Sequence, residues 1–156
     1  VVFVGEGVVP FPIFIVYWYS IIMSVDFSKY GEFVDTVTSA PSKGTGEMIA
    51  VLKDLKVRGA QPERLLTGAV GICAEGGEFM EVVKKMVFQG KPYDHDNVWH
   101  MKRELGDIMF YVQTACIALG TTVDEIVEMN VDKLEARYPG GKFSVENSEN
   151  RQEGDI

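Results

Sequence analysis

PERLLTGAVGICAEGGEFMEVVKKMVF, residues 62–88, carries its apolar residues at helical rather than alternating spacing and is too long for a strand. Pro62 suits the first helical turn, where its missing N–H has no intrahelical acceptor, and Gly90-Lys91-Pro92 stops the chain at the other end. After the loop 90–96 comes NVWHMKRELGDIMFYVQTACIAL, residues 97–119, with the same period and closed by Gly120. Two long helices joined by so short a loop pack antiparallel. Upstream, a helix is expected from about Asp26 to Ser39, stopped by Pro41 and the loop 42–46, and another from about Glu47 to Val57, ending at Gly59. Downstream, Thr122-Val123-Asp124-Glu125 reads as a capping box opening a fifth helix that ends near Tyr138-Pro139-Gly140-Gly141, and the polar tail 146–156 reads as irregular. No convincing β-type alternation occurs from Asp26 on, so the expected fold is an all-α antiparallel helical bundle.

The 156 residues are 46% apolar and carry 15 basic against 23 acidic side chains, a net charge of −8. That acidity gives no broad basic surface for a nucleic-acid polymer or an anionic membrane. The first 22 residues stand apart, with one charge, Glu6, and six aromatics. Pro10 and Pro12 break this apolar run below spanning length, and no basic residue precedes Lys29 to make a secretory signal. Residues 1–22 are therefore read as an extension outside the fold, and 23–156, from Met23, as the functional domain. Cys73 and Cys116 lie in apolar helical runs without CxxC spacing and read as buried reduced thiols, which fits a cytoplasmic protein.

Chemistry concentrates in acidic residues. Glu75 and Glu78 on the third helix, and Glu104 and Asp107 on the fourth, are spaced i, i+3, so each pair lies on one helical face. Such a pair alone is most often a solvated face. Here, however, the third helix is apolar nearly all round, and on the fourth the strip His100, Glu104, Asp107, Tyr111, Thr114 runs beside a stripe Val98, Met101, Leu105, Ile108, Val112, Ala115, Leu119 taken as the core face. Two carboxylates about 4 Å apart at an effective dielectric near 20 repel by about 4 kcal/mol, so four in one pocket require protons or cations. Lys102 and Arg103 point away from Glu104 on the helical wheel. An all-oxygen set favours Mg²⁺, with Mn²⁺ also suitable, and no Glu-x-x-His motif supports a di-iron site. Gly68, Gly71, Gly76 and Gly77 within one helix imply that a partner helix or a phosphate ester comes close.

The ordered set Glu75-x-x-Glu78, Glu104-x-x-Asp107, then Asn130-x-x-Lys133-x-x-x-Arg137-Tyr138-Pro139 resembles the MazG-like all-α nucleoside triphosphate pyrophosphohydrolases, most nearly the short bacteriophage forms. The resemblance covers about residues 27–156. It implies that Glu75, Glu78, Glu104 and Asp107 hold Mg²⁺, and that a (deoxy)nucleoside triphosphate is split into monophosphate and pyrophosphate by a metal-activated water. Glu75 or Glu78 would double as the base. The family pattern is Glu-Glu-x-x-Glu, and Ala74 replaces its first member.

On the fifth helix, spacing alone leaves Asn130 as a core amide and Lys133 and Arg137 in surface pairs with Glu128, Asp132 or Glu135; the resemblance makes all three substrate contacts. Lys85 could reach a phosphate or pair with Glu81. His100 reads by default as a surface or core histidine, and as a support for Glu104 if that residue ligates metal. Phe79, Trp99, Phe110 and Tyr111 are candidates by type for stacking on a base, with core packing their ordinary role. Arg151 could close over the phosphates from an otherwise frayed tail. A dUTPase or phosphoribosyl-ATP pyrophosphohydrolase shares the carboxylates, and a non-catalytic dimerisation module with a structural cation is the reading from another class. The large apolar faces of helices three and four predict a homodimer or homotetramer.

Overall fold

Asp26, Asp94, Thr122 and Ser144 each stand immediately before a helix and accept a hydrogen bond from a first-turn backbone N–H. They punctuate a computed structural model that describes residues 26–150 together with the backbone of residues 2–3 and 8–9. The expectations for a start at Met23 and a closing role for Arg151 lie outside the described residues, as does the N-terminal extension apart from the backbone of residues 2–3 and 8–9. The chain divides into two compact units, Val1–Ile49 and Ala50–Ile156.

In the first unit, strands β1 (Val2–Phe3) and β2 (Val8–Val9) pair antiparallel, with Val2 opposite Val9 and Phe3 opposite Val8. Helix α1 (Phe27–Val37) starts at Asp26, whose carboxylate accepts from the N–H groups of Ser28 and Lys29. The expected loop after Pro41 is instead a single helical turn, α2 (Ala40–Lys43). Proline is compatible with a first turn because that turn needs no amide donor. Lys43 ties the turn back to α1 through the Asp35 carbonyl, at 2.7 Å, and the Asp35 carboxylate. Helix α3 (Thr45–Val57) begins two residues before its expected start and runs across the boundary between the units.

The second unit is dominated by the antiparallel pair α4 (Pro62–Gln89) and α5 (His95–Leu119). Gly90 and Gly120, both in the left-handed region at φ 71°, terminate these helices where a Cβ would be strained. Helix α5 begins two residues earlier than expected, because Asp94 rather than a later residue is its cap and accepts from the Asn97 N–H at 2.9 Å. Helix α6 (Val123–Arg137) is capped by Thr122, which accepts from the Glu125 N–H, but the Glu125 carboxylate bonds the Thr121 hydroxyl, so only half of the expected capping box forms. The tail is not irregular throughout: Ser144 caps a short helix, α7 (Val145–Glu149). The described residues therefore form an all-α fold with one two-residue ladder.

Two expectations about burial fail. Of the apolar side chains described, the chain itself buries only Pro62, Val82, Cys116 and Ala118, and Cys73 is exposed rather than buried. On α5 the stripe expected to face the core is half-buried rather than buried, and open at Leu105, 49% exposed, and Leu119, whereas Glu104 on the neighbouring strip is 6% exposed. The cause lies in α4. A Cβ on Gly71 would fall 2.1 Å from the Tyr111 ring, and one on Gly68 would fall 3.1 Å from Ala115 Cβ. The glycines thus open a trough that receives Tyr111 and Ala115 of α5, and Glu104 is carried inward with them. Gly76 and Gly77 meet nothing within 4 Å. No helix among the described residues is long and apolar enough to cross a membrane.

Candidate metal centre

The antiparallel register runs from Gly68 beside Ala115, through Gly71 beside Tyr111, to Glu75 beside Glu104. Beyond Tyr111 the interface therefore turns from small and aromatic residues to carboxylates. Glu75 and Glu78 from α4 and Glu104 from α5 each offer an oxygen, and all three oxygens lie within 4.8 Å of one another. Glu104 is buried, Glu75 half-buried and Glu78 exposed, so the cluster opens from the helix interface towards solvent.

The electrostatics are those of crowded like charges. The Glu75 carboxyl is held above its ordinary pKa, first by desolvation, then by the charges of Glu78 and Asp107, and by a carboxyl–carboxylate hydrogen bond with Glu104. Asp107 is exposed and outside the group of three, although its charge reaches Glu75. It sits one turn along α5 on a side chain one methylene shorter than glutamate. Glu104 has a further partner: His100 Nε2 lies 2.9 Å from its Oε1. Three carboxylates without thiol or imidazole in the ligand group make an all-oxygen donor set, the chemistry of a hard divalent cation.

Arg103 and Lys85, cations on the two helices of the cluster, are engaged elsewhere. Arg103 lies over the Trp99 ring, its guanidinium carbon 5.1 Å from the centroid, in keeping with its expected direction away from Glu104. Lys85 Nζ pairs with Glu81 Oε1 at 2.9 Å, the alternative to a phosphate contact. On α6, Asn130 is exposed and so is not a core amide, while Lys133 is half-buried and makes no ion pair among the described residues. Arg137 is half-buried at the C-terminal end of the same helix. Of the aromatic candidates, Tyr111 fills the Gly71 trough and meets Phe110 edge-on at 5.2 Å, while Trp99 and Phe110 are exposed. The helix-spacing role of Tyr111 was missed in the sequence, where its signal is the Gly68/Gly71 pair on one helix and Tyr111/Ala115 on the next.

Compared with protein-family models, residues 64–141 match the MazG nucleotide pyrophosphohydrolase domain, a match that spans half of the chain. The chain belongs to the MazG family. No curated protein and no solved structure matches significantly. The MazG match contains the three clustered carboxylates as well as Asp107, Asn130, Lys133 and Arg137. Membership indicates a hydrolase of the nucleotide pyrophosphohydrolase kind, and the acidic cluster could hold a divalent cation. Ala74, at the position of the first glutamate in the MazG-like pattern, is exposed.

Proposed function

We propose that this MazG-family chain hydrolyses (deoxy)nucleoside triphosphates to the monophosphate and pyrophosphate with Mg²⁺, for which Mn²⁺ can substitute. The observation that carries this reading is the convergence of Glu75, Glu78 and buried Glu104 from two helices inside the matched domain. Such a set binds a cation and disfavours a bare triphosphate, so an acidic protein meets its polyanionic substrate through the metal.

In this mechanism Glu75, Glu78 and Glu104 would hold the cation, with Asp107 as the fourth carboxylate at the open end. A bound cation would supply charge neutralisation at the phosphates and a lowered pKa for the attacking water. Glu75 or Glu78 takes the proton of the water that attacks the α-phosphorus, while the bond from that phosphorus to the bridging oxygen breaks and pyrophosphate leaves. Lys133 and Arg137 contact the phosphates and Asn130 the sugar, from a helix whose Lys133 charge no described carboxylate consumes. Lys85 contributes only if it releases Glu81. No protein nucleophile is required.

Pyrophosphate release from a panel of dNTPs and NTPs, with Mg²⁺, with Mn²⁺ and with EDTA, tests the reading. Turnover should depend on the cation and fall at least ~100-fold in Glu104→Gln and in Glu78→Gln. Undiminished turnover in both variants would refute it. Absence of turnover by the wild type with every nucleotide would favour a helical dimerisation module, and turnover confined to dUTP or to phosphoribosyl-ATP would move the chain to those neighbouring activities.

A further inference from the structure

The most deeply buried carboxylate of the cluster touches a residue outside it. Glu104 has a side chain 7% exposed, so it cannot swing into water as Glu78 can, and its orientation is set by what it touches. One turn earlier on α5, His100 Nε2 lies 2.9 Å from Glu104 Oε1. An ionised carboxylate only accepts hydrogen bonds, so the proton of this contact is on Nε2. The i, i+4 spacing on a continuous helix fixes the two backbones relative to each other, and the imidazole leaves the remaining lone pairs of Glu104 facing its neighbours.

We propose that His100 is a positioning residue: its Nε2–H fixes the Glu104 carboxylate in the orientation from which it joins Glu75 and Glu78 around a hard divalent cation. This rests on reading the cluster as a cation site. His100 itself touches neither nucleotide nor metal; it acts through Glu104. The protein has only one other histidine, His95, whose side chain is 93% exposed and lies beside Asp96, so the two are separable by spectroscopy.

The test uses the full chain and Mn²⁺ alone, without nucleotide, with binding followed by the electron paramagnetic resonance of the free ion. His100→Ala should weaken Mn²⁺ binding by about tenfold or more, the usual effect of removing a hydrogen-bond partner of a metal ligand. His100→Gln, which places an amide N–H where Nε2 stands, should restore most of the affinity. Melting in EDTA identifies a variant that has lost its fold. If His100→Ala does not fold, the Gln variant and the histidine ¹⁵N spectrum of the wild type decide, with a protonated Nε2 at His100 expected. Wild-type affinity in His100→Ala, equal loss in folded Ala and Gln variants, or an unprotonated Nε2 overturns the inference and leaves the cation site standing. A wild-type chain that binds no Mn²⁺ overturns the cation reading and this inference with it.

Discussion

Glu75 shows how the centre behaves without its cation. Its pKa is raised, so between the ordinary glutamate value of 4.5 and the raised folded value the native state binds a proton that the unfolded chain has lost. Stability of the EDTA-treated protein should therefore fall as pH rises through that window, with the whole penalty present above it and none below 4.5. Saturating Mg²⁺ should reverse the sign, because bound metal favours the ionised carboxyl. Melting temperature against pH, with and without Mg²⁺, checks both slopes; identical slopes would contradict a cation at Glu75. Much of this was legible at the residue scale: the i, i+3 spacings named all three clustered carboxylates. The burial of Glu104 was not, because the glycines of α4, and not the apolar stripe of α5 alone, decide which α5 residues enter the helix interface. On α5 that stripe is only half-buried, open at Leu105 and Leu119, while Glu104 and Tyr111 turn inward alongside Ala115.

At the scale of elements, the α4–α5 spacing is set by Gly71 more than by any large side chain. Gly71→Ala gains helix propensity of about 0.5–1 kcal/mol but drives a methyl into the Tyr111 ring, an overpacking that costs about 1–3 kcal/mol. The clash wins, so this variant should melt lower and bind Mn²⁺ more weakly as Glu104 moves from Glu75. Gly76→Ala meets nothing within 4 Å and should melt higher in EDTA, with the propensity gain of about 0.5–1 kcal/mol undiminished. Equal effects of the two substitutions would contradict the trough. The positions of the long helices were legible to within two residues because Pro62, Gly90, Gly120 and Thr122 punctuate the chain locally. The turn Ala40–Lys43 and the helix Val145–Glu149 were not, since each depends on a single hydroxyl or lysine contact too local to outweigh a proline or a polar composition.

For the whole molecule, the open apolar surface is the dominant fact. Val70, Met80, Val87 and Phe88 on α4 and Leu105, Met109, Phe110 and Leu119 on α5 are all exposed. Burying six such side chains gives roughly 9–18 kcal/mol against an association cost of about 4–15 kcal/mol, so a second copy can close this surface. Light scattering at micromolar concentration should show a dimer or tetramer, and a monomer would contradict the prediction. The faces were legible as apolar runs; which of them the chain covers for itself was not, because that depends on the glycine trough. The proposed reaction is hydrolysis at the α-phosphorus by a water held at the Glu75, Glu78 and Glu104 centre. Turnover of a dNTP in ¹⁸O-water with Mg²⁺ tests it most directly: the label should enter the nucleoside monophosphate, leaving the pyrophosphate unlabelled. Label in orthophosphate or in pyrophosphate would place the attack at another phosphorus and contradict the account.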